Sequence, residues 1–127
     1  MTEMSEEAVE VAREIHRRWA AGESTAGLIA EDLEYVNPPY AVESGTRVGR
    51  RSLGRIREVY PDFRFEPERF VDAGEDVVVI GTSTGTSASG VVATMHPGYI
   101  WTIRGGKAVR FRWFNDPGEA LRAAGVE

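Results

Sequence analysis

The stretch from Asp76 to Asp116, DVVVIGTSTGTSASGVVATMHPGYIWTIRGGKAVRFRWFND, decides the fold. It opens with a β-branched run, Val77-Val78-Val79-Ile80-Gly81-Thr82, followed by small polar residues through Gly90. A second run, Met95 to Arg104, meets the tight Gly105-Gly106-Lys107, and a third, Ala108 to Phe114, closes on Asn115-Asp116-Pro117. Long apolar runs punctuated by glycine turns predict an antiparallel meander. The small polar run Thr82 to Gly90 reads as a hairpin tip or edge, because no helix follows it to make a phosphate loop. A short helical tail, Gly118 to Ala124, follows the meander, with Asp116 as its N-cap and Pro117 in its first turn.

Working outward, the N-terminal half is helical. Ser5 is the expected cap of a first helix whose stripe is Ala8, Val11, Ala12, Ile15 and Trp19, with Gly22 at its end. A short second helix is expected from Ser24 or Thr25 through Ala30. A strand is expected over Leu33 to Asn37, stopped by Pro38-Pro39. Tyr40 to Val48 reads as an irregular loop turning at Gly45. Ser52 to Tyr60 reads as a third helix with Leu53, Ile56, Val59 and Tyr60 facing inward, ended by Pro61. Phe63, Phe65 and Phe70 begin the main sheet, and Gly74 turns the chain into the long stretch. The fold class is therefore α+β: about three N-terminal helices packed on a curved, mainly antiparallel sheet, as one domain over residues 1–127.

The 127 residues carry a net charge of −5, which argues against a nucleic-acid partner. There is no cysteine, so disulfides and thiol chemistry are excluded. No apolar stretch approaches the ~20 residues of a membrane span. The acidic N-terminus lacks the pattern of a signal peptide, so a cytoplasmic location is expected. No His/Asp/Glu cluster has ligand spacing, so neither a metal nor any other cofactor is expected.

The order helix, short helix, strand, helix, meander is carried by Trp19-Ala20-Ala21-Gly22-Glu23, Ala30 to Pro38, Val48-Gly49-Arg50, Gly105 to Val109, and Trp113-Phe114-Asn115-Asp116. It resembles the nuclear transport factor 2-like superfamily, in its SnoaL-like polyketide cyclase and ketosteroid isomerase branch. The resemblance implies a cone enclosing a blind, apolar pocket. In isomerases of that branch a general-base Asp ends the first strand; the matching residue here is Asn37, an amide that cannot take a proton near neutral pH. Their oxyanion hole uses a helix-one Tyr and a late-strand Asp, which match positions near Ile15 and Gly98. In the epoxide hydrolase branch, a Tyr-x-Asn pair is matched by Tyr35-Val36-Asn37. Its Arg-x-Asp pair is replaced by His96-Pro97-Gly98, and its last-strand Asp falls near Trp113.

Elimination leaves His96 as the candidate acid or base, sharing a strand face with Thr94, Gly98 and Ile100. His16, flanked by Arg17 and Arg18, reads as a surface residue. The expected pocket lining is Trp19, Tyr35, Asn37, Tyr40, Phe111, Trp113 and Asn115, together with His96. Tyr99 and Trp101 alternate with His96, so they fall on the outer sheet face and predict a homodimer through it. Three functions stay open: an isomerase, cyclase or hydratase acting on a small apolar carbonyl compound; a non-catalytic binding or carrier domain; or a dimerisation module.

Overall fold

The computed structural model describes residues 2–41, 45–54 and 56–126. The first helix, α1 (Thr2–Ala21), begins before Ser5. Its end follows from Gly22, whose φ of 74° lets the chain reverse. The Glu23 amide donates to the Arg18 carbonyl at 2.8 Å and the Gly22 amide to Trp19 at 3.2 Å, which satisfies the last helical carbonyls. A single 3₁₀ turn (Ala26–Leu28) then leads into β1 (Ile29–Asn37), which starts earlier than alternation alone suggested.

Gly45–Val48 forms a strand, β2, where a loop was expected; residues 42–44 of that stretch lie outside the described residues. The expected third helix is split into a 3₁₀ segment (Arg50–Gly54) and one short turn, α2 (Ile56–Val59). Leu53 packs against the core as expected, whereas the side chain of Val59 lies outside those described.

The remaining strands are β3 (Arg64–Ala73), β4 (Asp76–Thr86), β5 (Val92–Met95), β6 (Gly98–Arg104) and β7 (Lys107–Phe114). The order across the sheet is β2-β1-β7-β6-β4-β3, with β5 paired to the far half of β4. Every pairing is antiparallel except β1 with β7. The β6–β7 turn needs two residues at positive φ, and Gly105 (58°) and Gly106 (77°) supply them. The tail helix α3 (Pro117–Ala123) has Asp116 at its cap position and Pro in its first turn, although the Asp116 side chain makes no capping bond.

Met95 to Arg104 is not one strand: it breaks at His96-Pro97, because proline has no amide to give to a ladder. Pairing with β4 nevertheless keeps the same register across the break. Met95 lies opposite Ser83 and Gly98 opposite Ile80. Alternation along the stretch is thus as expected, and its two faces are interchanged. Tyr99 and Trp101 point toward α1, in one core with Ala12, Ile15, Leu33 and Phe111. Ile100 packs on the other face with Val78 and Ala120, under α3.

This corrects the expected dimer surface. Trp101 is 0% exposed and Tyr99 9%, so neither can meet a second copy while α1 stays docked. The second apolar face needs no second copy, because α1 covers one face of the sheet and α3 part of the other. Gly98 permits the second docking: a Cβ there would stand 2.6 Å from the Ala120 Cβ.

Candidate ligand site

The face of the sheet beneath α1 is built from alternate residues of each strand. In register across it lie Phe65 opposite Ser83, Val79 opposite Tyr99, Tyr99 opposite Trp113, Trp101 opposite Phe111, and Phe111 beside Tyr35. The rings pack against one another, Phe65 to Tyr99 at 4.5 Å, Trp101 to Phe111 at 4.6 Å and Tyr99 to Phe111 at 5.0 Å between centroids. Gly81 makes room on β4: a Cβ there would come within 2.7 Å of the Phe65 ring. Two grooves open elsewhere on the surface, one lined by Glu6, Glu7, Glu10 and Asp72, the other by Glu58, Asp62 and Thr86.

His16 sits in this aromatic layer, not on the surface. It is 4% exposed, and its Nε2 accepts a 3.1 Å hydrogen bond from the Trp101 indole N–H. Trp19 stands edge-on to it at 5.2 Å, and the Tyr99 ring lies parallel to it, 6° off plane, at 6.3 Å. Burial lowers its pKa from 6.5 to about 3, so the imidazole is neutral at ordinary pH. The signal was present in the spacing. Ala8, Ala12 and His16 repeat every four residues, on the buried side of α1. The neighbouring arginines do point away: Arg17 and Arg18 both bond Glu14 at the helix surface.

Tyr99 is the second polar group in the layer. Burial raises its pKa well above the usual phenol value, with the neighbouring Tyr35 adding to the shift. No hydrogen bond to its hydroxyl is found among the described residues, and the hydroxyl is not fully enclosed: the fully buried side-chain polar atom without a partner among them is Arg112 Nε. The resemblance pointed to positions near Ile15 and Gly98. His16 and Tyr99, one residue further along in each case, bring polar groups into this layer.

The expected lining residues divide into two groups. Trp19, Phe111 and Trp113 pack against the buried core, as does Tyr35, whose ring lies 5.3 Å from Phe111. Asn37, Tyr40 and Asn115 gather with Trp113 at the end of the sheet near α3. The Trp113 indole donates to Asn37 Oδ1 at 2.7 Å, and the Asn37 amide donates to the Gly45 carbonyl at 3.4 Å. Tyr40 accepts from the Asn115 amide and donates to Glu119, each at 2.9 Å, while its ring stands edge-on to Trp113. Asn37 is therefore committed to holding Trp113, and Tyr40 ties the loop after β1 to α3.

His96 is not in the layer. Its side chain is exposed at the strand break, with Nδ1 3.2 Å from Thr82 Oγ1, which donates to Glu68 at 2.7 Å. Thr82 lies between Gly81 and Ser83, both buried, and so belongs to the opposite sheet face. The expected placement of His96 in an interior pocket is corrected accordingly: its face carries α3, not α1.

Residues 11–111 match the family model of the SnoaL-like domain. Among solved structures, an NTF2-like protein of unknown function from Burkholderia pseudomallei K96243 superposes with a TM-score of 0.72 at 27% identity. That match covers 91% of this chain and 95% of the other. TerC, co-crystallised with polyporic acid, gives 0.72 at 25% identity over 94% of this chain and 98% of its own. A protein named for the SnoaL-like polyketide cyclases, from Jannaschia sp. CCS1, gives 0.72 at 14% identity over 98% and 95%, a likeness of fold alone. No curated protein matches the chain.

Proposed function

The chain belongs to the SnoaL-like domain family, and from that premise we propose that it binds a small, largely apolar molecule between α1 and the sheet, with the Tyr99 hydroxyl bonded to one of its oxygens. The observation that carries this reading is the Tyr99 hydroxyl itself: its ring packs among Phe65, Phe111 and His16, while its oxygen has no hydrogen bond among the described residues and is not fully enclosed. A hydroxyl left open at the edge of an apolar layer is a donor that a ligand oxygen can use. The surrounding rings are apolar and aromatic, the usual composition of a small-molecule site. TerC, co-crystallised with polyporic acid, supports a small molecule as the class of occupant.

The chemistry this arrangement supports is binding and polarisation of an oxygen. Abstraction of a proton by a carboxylate at the end of β1 is not supported, because Asn37 stands there and spends its amide on Trp113 and Gly45. An isomerisation or cyclisation at this site would therefore depend on Tyr99 stabilising charge on oxygen, as donors aimed at a developing oxyanion do.

The test is a titration with polyporic acid as probe, followed by fluorescence of the aromatic layer. Tyr99→Phe keeps the ring and removes the hydroxyl. One hydrogen bond of about 0.5–1.5 kcal/mol corresponds to a two- to tenfold loss of affinity. A probe that fails to bind wild type, or binds Tyr99→Phe equally well, refutes the proposal.

A further inference from the structure

We infer that Trp101 is a positioning residue that fixes His16 as a hydrogen-bond donor, so that the site presents two donors and selects a ligand bearing an acceptor oxygen, a carbonyl or an ionised hydroxyl. The inference rests on the binding site proposed above. It starts from the chemistry of the two rings. An indole N–H can only donate, so the His16 Nε2 facing it at 3.1 Å must offer a lone pair. A neutral imidazole carries one proton, which must then sit on Nδ1. Burial excludes the doubly protonated form near neutral pH. No acceptor for Nδ1–H and no partner for the neighbouring Tyr99 hydroxyl is found among the described residues, and neither atom is among the fully buried ones left unpaired, so both donors stay open to a ligand.

Two consequences follow for the occupant. His16 cannot remove a proton from it, because its lone pair is already engaged by Trp101. A cationic amine finds no acceptor on His16, whereas an anionic or carbonyl oxygen finds a donor on each of two parallel rings. Trp101 is held for this purpose from both sides, by Trp19 at 5.5 Å and Phe111 at 4.6 Å.

The experiment is nitrogen NMR of histidine-labelled protein at neutral pH, with polyporic acid as the probe in a second arm. Wild-type His16 should show a protonated Nδ1 and a bare Nε2; a proton on Nε2 overturns the inference. Trp101→Phe should let the proton spread to Nε2 and weaken the probe about two- to tenfold. Because that variant removes a core side chain, a pair at position 16 decides the ligand arm independently. His16→Gln, which keeps both an acceptor for Trp101 and a donor, should bind within about threefold of wild type. His16→Leu should lose about two- to tenfold. Equal binding by Gln and Leu variants overturns the donor role. Absence of probe binding to wild type refutes the site, while the NMR still decides the protonation set by Trp101.

Discussion

His16 should make this protein acid-labile well above the pH at which carboxylates protonate. The folded state holds the imidazole at a pKa of about 3, against 6.5 for the unfolded chain. Below pH 6.5 the unfolded state therefore takes up a proton that the folded state refuses. Stability is fully present above 6.5 and is lost progressively as pH falls toward 3. At pH 5 the chain is 1.5 units below the unfolded value, and at ~1.4 kcal/mol per unit the loss relative to pH 7 is about 2 kcal/mol. Glu14, held low by Arg17, and Asp62, held low by Thr86, lose their contributions only as pH drops further, through the carboxylate range. Urea unfolding of wild type at pH 7 and pH 5 measures the loss, and His16→Gln removes it while leaving an acceptor for Trp101. If wild type and His16→Gln lose stability in parallel between those two pH values, the buried neutral histidine is wrong.

Two further outcomes test the two sides of the sheet. Gly98→Ala should cost about 1–3 kcal/mol, because the new methyl meets the Ala120 Cβ at 2.6 Å and the Pro117 Cα at 3.2 Å. The cost should appear as a lower urea midpoint and faster amide exchange in 117–123; exchange confined to wild-type rates would mean α3 is not seated there. His96→Gln should change stability by less than about 0.5 kcal/mol, as an exposed substitution does. It should also leave polyporic acid affinity unchanged, and a loss of affinity would return His96 to the site.

Most of the architecture was legible because it depends on local chemistry. Gly22, Gly74 and the Gly105-Gly106 pair mark chain reversals that need positive φ. The stripe on α1 and the parity of Phe111 and Trp113 follow from fixed periodicities. Which face of a strand turns inward does not. Tyr99-Trp101 and Gly98-Ile100 are both apolar enough to be buried, and both are, one under α1 and one under α3. Only the packing partner distinguishes them, and that is a long-range fact. The same ambiguity placed His96 inside and left Tyr99 outside. His16 is ambiguous for another reason: Arg17 and Arg18 beside it suggest a wet face, whereas its four-residue spacing from Ala12 puts it on the buried one. The Ser52–Tyr60 helix divides at Gly54, the last residue of its 3₁₀ segment, because glycine weakens a helix interior by about 1 kcal/mol relative to alanine.

The parallel pairing of β1 with β7 has a consequence for how the chain is made. Tyr35 meets Phe111, and Asn37 meets Trp113 across 76 residues of sequence. While the protein is being synthesised, β1 can pair with β2 alone. Its other edge, and the side chains of Ile29 and Leu33, wait for a strand near the end of the chain. Closing so long a loop is slow, and an open strand edge invites pairing with other chains. A ribosome stalled before Phe111 emerges would thus present a strand edge and an apolar face to whatever lies nearby. The vulnerable interval in the life of this small domain is the translation of its own last strand.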